Sequence, residues 1–154
     1  MEIYKATIND LEDLIKLRID FLKIDRGFLT EEEEKAIRFQ LKKYFEKYIP
    51  EEKVIAVIAR TDENIIASSA FLIIQEMPAN PTFLTGITGT LLNVITYPEF
   101  RRKGIATKII HYIIDEAKKM NVSNISLLAT EDGKELYEKL GFEIPHYTNM
   151  SLTL

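Results

Sequence analysis

The chain has 154 residues, 46% of them hydrophobic and 29% charged, with a net charge of −4. This is the composition of a folded domain with room for a core, and its acidic surplus argues against a nucleic-acid partner, which calls for basic surface. Cysteine is absent, which removes disulfides, thiolate nucleophiles and cysteine zinc sites and points to a reducing compartment. No stretch approaches the roughly 20 apolar residues of a membrane span, and Met1-Glu2-Ile3-Tyr4-Lys5 lacks the regions of a signal peptide. One domain, 1–154, in the cytoplasm is therefore expected. His111 and His146 stand far apart, so no metal is expected.

Ile3 to Ile8 alternates enough for a short first strand. Asn9 and Glu12 have the spacing of a capping box. Behind them Leu11, Leu14, Ile15, Arg18, Phe21 and Leu22 recur at helical spacing until Gly27 interrupts. Thr30 ahead of Glu31-Glu32-Glu33-Glu34 begins a second helix, a hydroxyl cap followed by acids that suit the helix dipole. Ile37, Leu41, Tyr44, Phe45 and Tyr48 form its stripe, and Pro50 ends it. The acidic run reads as a solvated face. Val54 to Arg60 and Ile65 to Gln75, joined by Asp62-Glu63-Asn64, predict a hairpin, and Met77 to Pro81 a loop. Gly86 to Thr96 predicts a long strand whose run Leu91-Leu92-Asn93-Val94-Ile95 lacks alternation, as in a strand covered on both faces. Gly104 to Met120 predicts a helix with a broad apolar face. Ile125 to Ala129 then completes a parallel βαβ unit. A last helix starts at Asp132 or Gly133, runs through Leu140 and stops at Gly141. Ser151 to Leu154 finishes as a strand.

The segment Asn93 to Thr107 carries the most chemistry. Its apolar strand stops at Pro98, and Arg101-Arg102-Lys103-Gly104 turns directly into the helix beginning at Ile105. Backbone N–H groups, a helix N-terminus and cationic side chains converge there, as binding a pyrophosphate requires. Gly104 permits a tight turn, the first helical N–H groups lack internal partners, and Arg101, Arg102, Lys103 and Lys108 bring charge. Taken alone, the six residues from Arg101 to Ala106 fit a plain strand–helix turn with solvated basic side chains better than a ligand loop.

Three features together resemble the GNAT superfamily of acetyl-CoA-dependent N-acetyltransferases. Arg101-Arg102-Lys103-Gly104-Ile105-Ala106 fits the family's [QR]-x-x-G-x-[GA] loop, and Leu136-Tyr137-Glu138-Lys139-Leu140-Gly141-Phe142 fits its L-Y-x-x-x-G-F motif. The predicted order β-α-α-β-β-β-α-β-α-β matches across nearly the whole chain. The resemblance implies a mixed α/β fold with a twisted sheet of about six to seven strands flanked by helices. The sheet would be antiparallel in its first half, with the fourth and fifth strands parallel and splayed. It implies an acetyl-CoA site in which the backbone of Val94, Ile95 and Thr96 pairs with the pantetheine arm. Arg101, Arg102, Lys103, Gly104, Ile105, Ala106 and Thr107 would surround the pyrophosphate. A backbone N–H near Leu92 to Val94 would polarise the thioester carbonyl, and Tyr137 would protonate the leaving thiolate. A tyrosine there also serves simply to pack the last helix. Upstream, Thr130 and Gly133 stand where many members carry asparagine and alanine.

Many relatives also place a glutamate base on the fourth strand, and this strand has none. Asn93 is the alternative there, to orient a water or the acceptor, and it reads equally as a buried amide satisfied by backbone. Glu76, Asp25, Glu31 and His146 are further candidates. The resemblance implies direct transfer to a primary amine, without a covalent enzyme intermediate, and pairing into a homodimer as relatives often do. The acceptor wall would come from the first two helices, the loop Met77 to Thr88 and the C-terminal segment. With Glu31–Glu34 and Glu76 nearby, a small cationic amine is the expected acceptor. A non-catalytic acyl-CoA-binding module is the alternative, and a nucleic-acid binder using Arg101-Arg102-Lys103 is disfavoured by the net charge.

Overall fold

The computed structural model describes residues Met1–Leu154. Strand β1 (Glu2–Lys5) leads through a 3₁₀ turn (Ile8–Asp10) into helices α1 (Leu11–Arg26) and α2 (Glu31–Tyr48). Strands β2 (Val54–Arg60), β3 (Ile66–Glu76) and β4 (Ile87–Thr96) follow. A second 3₁₀ turn (Pro98–Phe100) precedes helix α3 (Ile105–Lys119), strand β5 (Asn124–Ser126) and helix α4 (Glu131–Lys139). The sheet runs β1-β2-β3-β4-β5. Its first three pairings are antiparallel and β4–β5 is parallel.

Side-chain alternation in β2 explains the layering. Val54, Ala56 and Ile58 join the core made with α1 and α2, while Ile55, Val57 and Ala59 join the core made with α3. With a period of two and apolar residues on both faces, the strand has to be covered on both sides. Phe45 of α2 meets Phe71 of β3 edge to face at 5.8 Å. On the opposite face α3 contributes Ile105, Ile109, Ile110, Ile113 and Ala117. Gly89 in β4 leaves room for Leu72, since a Cβ there would lie 2.7 Å from Leu72 Cδ1.

The sheet has five strands rather than six or seven. Ser151–Leu154 forms no strand, and residues beyond Phe142 are exposed and make no backbone hydrogen bond. Pairing needs an edge of sufficient length, and β5, expected over Ile125–Ala129, ends at Ser126. The first capping box also differs. Thr7 and Asp10 form it, with the Thr7 hydroxyl accepting from Asn9 N and Asp10 Oδ2 from Thr7 N. The extended backbone of Thr7 suits an N-cap, so the helical path starts before Asn9. No helix is long and apolar enough to cross a membrane.

Candidate active site

β5 pairs with β4 at Thr88, Gly89 and Thr90, whereas β4 continues to Thr96. From Leu91 onward the outer edge of β4 therefore faces no strand, and the two parallel strands part there. Val94, Ile95 and Thr96 lie on this open stretch. Their other edge is held by β3, where Ser69 opposes Ile95 and Ser68 opposes Thr96. Ile95 is buried in the α1/α2 core, Val94 packs against the α3 core, and the Thr96 and Ser68 hydroxyls lie 2.9 Å apart.

A bulge interrupts β4 within the open stretch. Leu92 opposes Phe71 and Ile95 opposes Ser69, so Asn93 and Val94 share the place facing Ala70. Asn93 takes φ +57°, a left-handed conformation that asparagine tolerates better than most residues. Its buried side chain is held by α1: Nδ2 donates to the Leu17 carbonyl at 3.3 Å and Oδ1 accepts from Arg18 Nη1 at 3.4 Å. Both ends of the amide are thus engaged by protein groups, and what Asn93 offers the cleft is a re-aimed backbone.

At the end of β4, Arg102 (φ +61°) and Gly104 (φ +72°) give the 101–104 turn two left-handed residues, backbone geometry of the kind that builds an anion-binding nest, while the Arg101 N–H donates to the Pro98 carbonyl. Gly104 caps α3 without a side-chain hydrogen bond, and the first helical bond runs from Lys108 N to the Gly104 carbonyl. The N–H groups of Ile105, Ala106 and Thr107 are consequently free, whereas α2 and α4 are capped by the hydroxyls of Thr30 and Thr130. Arg101 Nε donates to the Thr96 carbonyl at 3.0 Å and holds the loop against the strand end. Arg102 and Lys103 are exposed, with Lys103 Nζ 5.6 Å above the Phe100 ring. Donors and cations in this arrangement suit a diphosphate.

Tyr137 is half-buried on α4, edge-on to Phe142 at 5.8 Å, and packs with Val94 and Leu127 against the α3 core. Its hydroxyl has no hydrogen-bond partner in the protein, and burial raises its pKa above the ordinary 10.0. The phenol is therefore protonated at neutral pH. Gly133 leaves space for this ring, because a Cβ there would lie 3.2 Å from Tyr137 Cε2. The Thr130 hydroxyl accepts from Gly133 N at 3.2 Å and caps the helix.

On the other side of the bulge, a cavity of about 740 Å³ opens between α1, α2, β3 and β4, with Leu92 in its wall. Neither the loop Met77–Thr88 nor the C-terminal segment contributes to it. The loop joins β3 to β4 at the end where β5 pairs, away from Asn93. Glu76, Asp25, Glu31 and His146 do not line the cavity either. Glu33 does, with its carboxylate accepting from Thr30 N at 2.9 Å. Two groups escaped the sequence reading. Arg18 sits in the cavity wall, and its signal was a cation inside the apolar stripe of α1. Tyr97, after β4, hydrogen-bonds Asp20, which also pairs with Lys16. No short-range pattern announces that contact.

Known proteins share this architecture. The acetyltransferase (GNAT) family model matches residues 17–142. An uncharacterized N-acetyltransferase ycf52 of Pyropia yezoensis is 30% identical over 93 residues, covering 55% of this chain and 51% of that protein. The chain thus spans about half the length of the curated relatives it matches. A predicted acetyltransferase of Clostridium acetobutylicum, solved with acetyl-CoA, superposes with a TM-score of 0.85 at 28% identity over 97% of this chain and 95% of that one. Glucosamine-6-phosphate N-acetyltransferase of Arabidopsis thaliana shares the fold, with a TM-score of 0.72 at 18% identity over 98% and 97% of the two chains.

Proposed function

The chain belongs to the acetyltransferase (GNAT) family, and on that premise we propose that it transfers an acetyl group from acetyl-CoA to a primary amine by direct attack. One observation carries the reading: the unpaired edge of β4 from Leu91 to Thr96 runs into the uncapped start of α3.

Acetyl-CoA supplies an activated thioester and a leaving thiol. Backbone groups of Val94, Ile95 and Thr96 hold its pantetheine arm as an added strand. The nest over Arg101–Gly104 and the N–H groups of Ile105, Ala106 and Thr107 receive its diphosphate, with Arg102 and Lys103 adding charge. The bulge at Asn93 turns a nearby backbone N–H toward the thioester oxygen, where developing negative charge needs a donor. Asn93 is in this reading a positioning residue, since α1 holds its side chain. Tyr137 gives its proton to the departing sulfur and recovers one from solvent. The surplus proton of the amine leaves to water, because the cavity's one carboxylate, Glu33, serves the α2 cap.

Thiol release with acetyl-CoA and a panel of primary amines tests the activity, and Tyr137→Phe tests the acid. The variant is expected to lower kcat about a hundredfold with an unchanged KM for acetyl-CoA. The protonated phenol is the active form and its pKa is raised, so the wild-type alkaline limb should lie above pH 10 and be missing in the variant. Full activity of Tyr137→Phe would remove the assignment.

A further inference from the structure

Building on the acetyl-transfer reading of this site, we propose that the acceptor amine carries its own carboxylate on an apolar body, as an α-amino acid with an apolar side chain does, and that Arg18 binds that carboxylate.

The charges around the cavity lead to this class. Ten of its fifteen lining residues are hydrophobic, among them Leu22, Phe28, Ile37 and Phe71. Such a wall favours an apolar body. Within it stands the half-buried guanidinium of Arg18, in no ion pair. The acids nearby are already engaged: Asp20 with Lys16, Glu34 with Lys23 and Arg38, and Asp13 with Arg60. Asp25 acts on Arg18 only from beyond ion-pair distance, and a second cation, Arg26, also lines the cavity. Glu33, the acid within the lining, is bound to the α2 cap. A guanidinium stays charged at any working pH, and removing it from water without an anion is costly. Arg18 thus has an unmet demand for negative charge, the opposite of what the Glu31–Glu34 run suggested.

Position narrows the class further. Arg18 Nη1 reaches Asn93 Oδ1 at 3.4 Å, so an anion on its remaining donors lies beside the β4 bulge, where the nitrogen has to attack. A short spacing between carboxylate and amine meets both demands, and an α-amino acid has it. The Tyr44 hydroxyl, also in the wall and without a hydrogen bond in the protein, offers a second donor.

The test compares amino acids with their decarboxylated amines as acceptors, with acetyl-CoA saturating: leucine against isoamylamine, methionine against 3-(methylthio)propylamine, phenylalanine against phenethylamine. Expected is a kcat/KM for the carboxylated member about 10- to 100-fold higher. The ratio should collapse toward one in Arg18→Met and be partly kept in Arg18→Lys, with the KM for acetyl-CoA reporting that each variant is folded. A wild-type preference for the decarboxylated members, or a preference that survives Arg18→Met, overturns the proposal while leaving the transfer reading intact. Turnover of no member of any pair, with acetyl-CoA bound, overturns this proposal, and only silence across the wider panel of primary amines overturns the transfer reading as well.

Discussion

Asn93 shows how one residue shapes the cleft. Its backbone is left-handed at φ +57°, a conformation that costs an ordinary L residue roughly 1–2 kcal/mol. Its amide meanwhile ties the strand to α1 through the Leu17 carbonyl. Backbone and side chain can be separated by mutation. Asn93→Ala forfeits both and should destabilise by about 2–3 kcal/mol. Asn93→Gly keeps the conformation and should be milder by about 1 kcal/mol. Urea unfolding of the two variants measures the difference, and equal losses would mean that the left-handed turn contributes nothing. At Arg18 the sequence was read by spacing alone: a cation in an apolar stripe looks like a tolerated neighbour until the cavity is seen.

Among elements, the contact between α1 and the end of β4 is the one with a pH signature. Burial, reinforced by the hydrogen bond to Asp20, pushes the Tyr97 phenol up to about 12. Burial acts to raise Asp20, but hydrogen bonds from Lys16 and Tyr97 outweigh it and hold the carboxyl below 3.8. The hydrogen bond to Asp20 raises Lys16 above 10.5. A raised phenol stabilises the fold fully below its unfolded value of 10.0 and loses that contribution as pH climbs toward 12. The lowered carboxyl contributes above 3.8 and loses it as pH falls. The contact is thus strongest between these limits. Tyr97→Phe should lower Tm at pH 7 and lower it less at pH 11, read by thermal denaturation across pH. An equal deficit at both would show that the hydroxyl's protonation does not matter. Most element signals were legible, because caps and periodicity act within a few residues: Thr30 caps α2 as its place before four acids predicts, whereas the Thr130 cap went unread and α4 starts at Glu131, ahead of the expected Asp132 or Gly133.

For the molecule as a whole, a ligand that binds only the folded chain stabilises it by mass action, about 2.7 kcal/mol at a hundred times Kd. Acetyl-CoA is therefore expected to raise Tm. Gly104→Ala should shrink that rise. The added methyl meets no atom within 4 Å, but φ +72° strains it, so the nest opens and the free chain loses about 1 kcal/mol. An undiminished rise would detach the 101–104 turn from ligand binding. The order of elements from β1 to the Tyr137 helix, the sheet covered on both faces and the 101–107 turn were determined by the sequence alone, since hydrophobic period, helix caps and turn residues act over short stretches of chain, whereas the strand expected at Ser151–Leu154 did not form. Tertiary structure alone decided that β5 stops at Ser126, that β4 bulges at Asn93 and that Arg18 stands in the cavity wall without an ion-pair partner. These depend on strand register and on contacts such as Arg18 with Asn93, 75 positions apart, which no local pattern encodes.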